Sequence, residues 1–435
     1  MIELSVDTPH HARERESKLN WRELQEKGVT LVGGAVSGGL DSCTVTHWLR
    51  SKGFRVQGFT VDLGQPDEEN LDAITDRMIT CGAEDSIIIP GRGSLAEAGL
   101  KVIQSQARYE GGYWNTTGIA RPVTVAAILP EMSKRDVGTL FHGATGRGND
   151  QVRFQLATNM LNPDMEVYAP WRDPEFIAEF PGRQQMLDYC EANSLPIRPA
   201  RESRYSTDAN FLGLTHEAGD LEDVTISPTF VEPGMGVWPW DAPNQTQVVT
   251  IRWELGVPVS IDGNALGLEE IFETANSIGG KHGVGIGDHV VENRFVGVKS
   301  RGIYEAPAME LLGSSYEFLL QFVLDRRARE FFDYTSGVIS LQIYQGYWLD
   351  LATRSALAAL EPITRLATGT ISVRLHKGKV FFDTAEDTQE AMPHSLYTDD
   401  SSMEAMGTYD HTDAEGFVKV LGISAKNLAN RQLGP

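Results

Sequence analysis

From Val29 onward the chain alternates between two periodicities, and this alternation constrains its fold more than any other feature. The apolar stretch VTLVGGAVS is followed by a segment with Val45, Trp48 and Leu49 on one helical face, a turn at Lys52-Gly53, and the strand-like run FRVQGFTVDLG. A strand pattern giving way to a helical one and back again reads as β-α-β. The spacing then predicts a helix from Glu68 to Cys81, a strand at SIIIP, a helix from Val123 to Met132 and a strand within VGTLFHGAT. Strands that alternate with helices imply an α/β fold with a parallel sheet covered on both faces. Such sheets bind ligands in the loops at the carboxyl ends of their strands, here SGGLDS, DLGQPDEE and GATGRGND.

Helical text resumes in GRQQMLDYCEANSL, and the Pro196 to Pro199 stretch marks a boundary. Beyond it come strand-like QVVTIRWEL and VPVSIDG, a helix from Leu268 to Ser277, a glycine string from Gly279 to Gly287 expected to be a loop, and the hairpin-like ISVRLHKGKVFF. This half reads as α+β. A chain of 435 residues is long for one core. The divisions expected are a peripheral extension over 1–28, a first domain over 29–195, a second over 196–412, and a C-terminal helix and tail over 413–435.

Charge narrows the partners. Sixty acidic against 38 basic residues give a net charge of −22, a field that repels nucleic acid and anionic lipid. A phosphate-bearing ligand would need arginines and helix N-termini gathered locally. No apolar run approaches the roughly 18 residues of a membrane span, and the N-terminus has no export-signal pattern. Three cysteines without CxxC spacing suit a reducing compartment, so a cytoplasmic protein is expected. Ten histidines without HExxH or paired Cys/His spacing argue against a catalytic zinc.

The sharpest local signal is Ser37-Gly38-Gly39-Leu40-Asp41-Ser42, placed between a strand and a helix, where backbone N–H groups and the helix dipole favour an anion. It lacks the GK[ST] of a Walker A loop and is similar to the pyrophosphate loop of enzymes that adenylate a substrate. The segment Gly143 to Phe154 gathers two guanidiniums, a carboxylate, two amides and a hydroxyl, a set able to hold a zwitterion beside a phosphate. YSTDAN, THE, VENR and SRGIYE each pack hydroxyl, amide and carboxylate groups into a short span. Taken singly these strings are equally caps and surface pairs. Cys43 is read as helix packing and His142 as a core histidine.

Together, SGGLDS, DLGQPDE, GNDQVRF, APWRD, YSTDANFLG, THEAGDLE and VENRFVGVKSRGIYEAP resemble the argininosuccinate synthase family, from about Val32 to Lys419. NTTG after Tyr113, with TDAN and THEA, is closer to the longer bacterial form. The resemblance implies an N-terminal adenine-nucleotide α-hydrolase-like domain, an α+β synthetase domain, and a C-terminal oligomerisation helix in a homotetramer. It implies ATP-driven condensation of citrulline with aspartate. A ureido carbon is a poor electrophile, and adenylating its oxygen supplies a leaving group.

Matched motif by motif, the resemblance implies nucleotide contacts from Ala35, Val36, Ser37, Gly38, Gly39, Leu40, Asp41, Ser42, Cys43, Val61, Gly143, Thr145, Asp150 and Asp208. Citrulline is expected on Tyr113, Asn149, Arg153, Ser206, Thr215, Glu217, Glu292 and Tyr304. Aspartate is expected on Thr117, Arg121, Thr145, Asn149 and Asp150, with Asp150 and Arg153 nearest the chemistry. Magnesium would be bound through the ATP phosphates, with no dedicated protein cage. Arg147 stands where the family usually has lysine, and Ser42-Cys43 where it has two hydroxyl residues. A ligase joining a different amine or ureido compound shares these motifs, as does an RNA-modifying adenylating enzyme, which would bring a basic face. A binding protein without turnover would share the pocket.

Overall fold

The computed structural model describes residues 20–68, 70–196, 204–287, 289–386, 388–398 and 411–431. The first half runs α1 (Trp21–Glu26), β1 (Leu31–Ala35), α2 (Leu40–Ser51), β2 (Arg55–Asp62), α3 (Asp72–Thr80), β3 (Asp85–Pro90), α4 (Arg92–Gln104), α5 (Thr116–Ser133), β4 (Thr139–His142), α6 (Asp150–Leu161), β5 (Glu166–Tyr168), α7 (Pro174–Glu179) and α8 (Arg183–Ala192). The five strands form one parallel sheet in the order β3-β2-β1-β4-β5. Val32, Val56 and Phe141 pack on one side with α2, α3 and α8, while Phe59, Val61 and Leu140 pack on the other with α4 and α5. The strand order reverses between β1 and β4, so the loops after these two strands open a crevice at their carboxyl ends. Gly34 keeps the centre of the sheet closed, since a Cβ there would lie 2.2 Å from the Phe141 ring.

The second half runs β6 (Ser206–Asn210), β7 (Gly213–Glu217), β8 (Gln247–Glu254), β9 (Val257–Ile261), β10 (Asn264–Ala265), α9 (Leu268–Lys281), β11 (Val291–Asn293), β12 (Lys299–Glu305), α10 (Pro307–Val323), α11 (Arg326–Tyr344), α12 (Leu351–Thr364), β13 (Gly369–His376), β14 (Lys379–Ala385) and α13 (His411–Asn430). Two antiparallel sheets result, β10-β9-β8-β13-β14 and β11-β12-β7-β6. Alternation in β8 buries Val249, Ile251 and Trp253 against α10, where the Trp253 indole N–H donates to Ser315 Oγ at 3.1 Å. Leu212, in the turn after β6, lies against Gly99 of α4, and one apolar core runs through both halves.

Three expectations change. The helix predicted from Glu68 begins at Asp72, because Asn70 Oδ1 accepts the Ala73 N–H at 3.3 Å and starts the helix late. The extension is not peripheral over 20–27: Leu24 is fully buried and the Trp21 N–H donates to the buried Asp173 carboxylate at 2.9 Å. Residues 1–19 lie outside the described residues. Gly279 and Gly280 belong to α9, where a Cβ on Gly280 would meet the Met235 carbonyl at 2.1 Å, so close backbone packing explains them. The boundary drawn near Pro196 to Pro199 lies largely outside the described residues.

Candidate active site

The loop after β1 carries the strongest geometry. Gly39 caps α2 without any side-chain hydrogen bond, which leaves the first N–H groups of the helix directed into the crevice. Gly38 turns the chain at φ +69°, a left-handed conformation suited to glycine, and its carbonyl accepts from Arg77 Nη1 at 2.7 Å. Ser42 Oγ accepts the Ser37 N–H at 3.0 Å, closing the loop on itself. Asp41 is tied down by the Trp171 indole N–H at 2.9 Å. Burial raises the Asp41 pKa, an effect opposed by Trp171 and by the field of Arg183.

This loop floors a cleft of about 630 Å³, a volume suited to a nucleotide. Ala35, Val36, Ser37, Gly39, Leu40, Asp41, Ser42, Val61, Gly143, Asp150 and Asp208 line it, as do Arg121 and Ser206. Cys43 does not: its side chain is fully buried in the core and its N–H is used by the Gly39 carbonyl within α2. The Thr145 side chain is exposed and does not line the cleft. His142 does, yet its Nδ1 accepts the Ala144 N–H at 3.2 Å, and burial pushes its pKa down to about 3, so it is neutral.

At the far end, Arg121 joins the two halves. Its Nε and Nη2 donate to Asp150 Oδ2 at 2.9 and 2.7 Å, and Nη2 also pairs with Asp208 on β6. Arg153 Nη1 donates to Asp150 Oδ1 at 2.9 Å, while its Nε and Nη2 donate to the Tyr344 carbonyl at 3.1 and 2.9 Å. Burial works against the Asp150 carboxylate, but Arg121 and Arg153 outweigh it and hold its pKa down. Asp208 goes the other way: burial raises its pKa, Arg121 opposes, and Asp150 and Asp67 add to the rise.

The second half contributes a patterned face. Register pairs Glu217 with Ser206 on one side and Gly302 on the other, Thr215 with Asp208 and Tyr304 likewise, and Glu292 with Ser300. Side chains opposite one another, or two apart, share a face of a sheet. Ser206, Asp208, Thr215, Glu217, Glu292 and Tyr304 therefore stand on one side; of these, Ser206 and Asp208 line the cleft. Arg294 bridges Glu217 at 2.6 Å and Glu292 at 3.4 Å. Burial, against the pull of Arg294, raises the Glu217 pKa to about 7. Tyr113 and Tyr304 line an adjoining small recess with His289, and the Tyr113 hydroxyl accepts the Thr117 N–H at 2.9 Å. Asn149 Oδ1 accepts the Phe295 N–H at 3.0 Å, which fixes the amide so that its NH₂ is directed to the Tyr344 hydroxyl.

Several of these groups escaped sequence reasoning. Trp171 belongs to the APWRD string, whose Asp173 is also the buried acceptor for Trp21, Tyr168 and Glu175, and that string was the available signal. Phe295 lies in the VENRFVGVKSRGIYEAP string, while Arg183, His289 and Tyr344 carried no motif signature.

A parallel sheet with an uncapped helix facing the crevice at its order reversal is a nucleotide-binding arrangement. Comparison with known proteins agrees: residues 31–196 match the model of the arginosuccinate synthase N-terminal HUP domain, and residues 205–428 that of the C-terminal domain. An argininosuccinate synthase of Rhodopirellula baltica is 38% identical over 396 residues, covering 90% of this chain and 96% of that one. One from Thermotoga sp. strain RQ2 is 35% identical over 399 residues, with 90% and 96% covered. One from Desulfitobacterium hafniense is 36% identical over 396 residues, again with 90% and 96% covered. The chain belongs to the argininosuccinate synthase family.

Proposed function

We propose that this chain condenses L-citrulline with L-aspartate, using ATP and releasing AMP and pyrophosphate through a citrullyl-adenylate. The observation that carries the site assignment is the single sheet face bearing Ser206, Thr215, Glu217, Glu292 and Tyr304, set across Arg121 and Asp150 from the uncapped α2 N-terminus. In this reading the free N–H groups of Leu40, Asp41 and Ser42 take the departing pyrophosphate, and Val61 lies along the adenosine. The ureido oxygen attacks the α-phosphorus. The aspartate amine then attacks the ureido carbon, loses a proton and displaces AMP.

The chain's part is positioning and charge balance. Glu292 and Glu217 supply acceptors for the citrulline ammonium, with Arg294 holding both carboxylates. Arg121 is bound on both sides by carboxylates of this chain, and an incoming aspartate carboxylate would take the place of Asp208. A magnesium carried by the ATP phosphates would meet Asp41, the loop carboxylate facing the cleft. There it would neutralise phosphate charge.

Helix α13 supports a homotetramer, since Phe417, Val418, Val420, Leu421 and Ile423 are all more than half exposed. We assign the enzyme to the cytoplasm, where its three buried free cysteines stay reduced. The decisive experiment incubates purified protein with ATP and magnesium, omitting citrulline or aspartate in turn, and follows AMP and argininosuccinate by chromatography and mass. Product that needs both amino acids is expected. AMP release that ignores either one would overturn the reading.

A further inference from the structure

Tyr344, the last residue of α11, is almost completely buried, at 1% exposure, yet its hydroxyl makes no hydrogen bond of ordinary length and angle among the described residues, with the Glu292 and Asn149 side chains as looser partners. A buried hydroxyl left unsatisfied costs free energy, so such a group in a native core calls for a ligand to complete it. Its surroundings point to which one. The ring is clamped face to face on Tyr109, with centroids 3.5 Å apart and planes within 3°, and meets Tyr113 edge-on at 6.5 Å. The carbonyl of the same residue receives both hydrogen bonds from Arg153. The hydroxyl sits beside the Glu292 carboxylate and the Asn149 amide. Burial and Glu292 raise its pKa, so it remains a neutral donor.

We infer that Tyr344 is a substrate-contacting residue, whose Oη–H donates to an oxygen of the amino acid seated against Glu292 and Asn149. The inference rests on the proposed function, in which that amino acid is citrulline. It adds to the pocket a group from a helix far along the chain, held by two constraints that are independent of its hydroxyl. The Tyr109 hydroxyl is itself anchored outside the pocket, donating to the Asn293 carbonyl at 2.6 Å, so the stack orients Tyr344 without competing for the ligand.

The test is Tyr344→Phe in the full-length protein. This change keeps the ring, the stack and the carbonyl that holds Arg153, and removes one oxygen. Loss of one neutral hydrogen bond predicts a citrulline KM and Kd raised about five- to tenfold. The KM values for ATP and aspartate, and the thermal midpoint, should stay at wild-type values. Citrulline binding within twofold of wild type would overturn the inference. So would a lowered thermal midpoint with all three KM values raised together, because that pattern marks a packing role. If the wild-type protein itself fails to bind citrulline in the same titration, the proposed function fails instead, so the two failures are distinguishable.

Discussion

Replacing Asp150 by Asn should separate the two carboxylates that flank Arg121. Asp150 accepts three hydrogen bonds from two guanidiniums whose side chains are only 19% and 5% exposed. Asn keeps the volume but removes the charge, leaving two largely buried cations side by side. Breaking a buried pair in this way costs about 3–5 kcal/mol. Against a usual total of about 5–15 kcal/mol, that is a large fraction of the stability. Asp208→Asn is the control: this carboxylate meets Arg121 alone and is already disfavoured by burial and by Asp150 and Asp67, so its loss should cost about 1 kcal/mol or less. Urea unfolding of both variants, without ligands and at neutral pH, followed by circular dichroism and by tryptophan fluorescence, measures the difference. A D208N loss equal to that of D150N, or a D150N loss below about 1 kcal/mol, would refute the assignment of Asp150 as the charge centre of the cluster.

Four further outcomes are expected. With its pKa raised to about 7, Glu217 is ionised only above that pH, so the citrulline KM should climb as pH falls through 7, and Glu217→Gln should flatten this dependence. The same shift favours the folded state below the ordinary carboxylate range, an advantage lost as pH rises through about 7; pH-dependent unfolding of wild type against E217Q reads it. Gly38→Ala forces an L-residue to φ +69° and puts a Cβ 2.5 Å from Arg77 Nη1, a strain of about 1–2 kcal/mol, so the ATP KM should rise about tenfold in steady-state kinetics. Truncation before His411 should reduce the assembly seen by light scattering, and an unchanged mass would remove α13 from the interface.

The nucleotide half was legible because its information is local. β1, the loop and α2 are contiguous in sequence, and Val32, Val45 and Trp48 carry the periodicities that place them. The face proposed for the substrate was suggested only through family motifs, because Ser206, Glu292 and Tyr304 meet by strand pairing across long separations. Tyr344 was invisible to both approaches. Its role depends on a stack with Tyr109 and a carbonyl shared with Arg153, neither of which any short string encodes. Cys43 shows the two kinds of reading apart: its residue type pointed to helix packing, where its buried side chain lies, while its place in the loop motif says nothing about which way a helical side chain points.

The antiparallel sheet that carries the substrate face makes the pocket a matter of parity. Thr215 and Glu217 lie on the face proposed for the substrate, and His216 between them faces away to pair with Glu305. Inserting or deleting one residue within β7 would exchange the two sets at a stroke, turning the carboxylate and hydroxyl inward and presenting an imidazole to the substrates. Changes of even length would preserve the facing. Relatives that alter this strand are therefore expected to do so in steps of two, and a single-residue indel there should abolish turnover while leaving the nucleotide cleft intact.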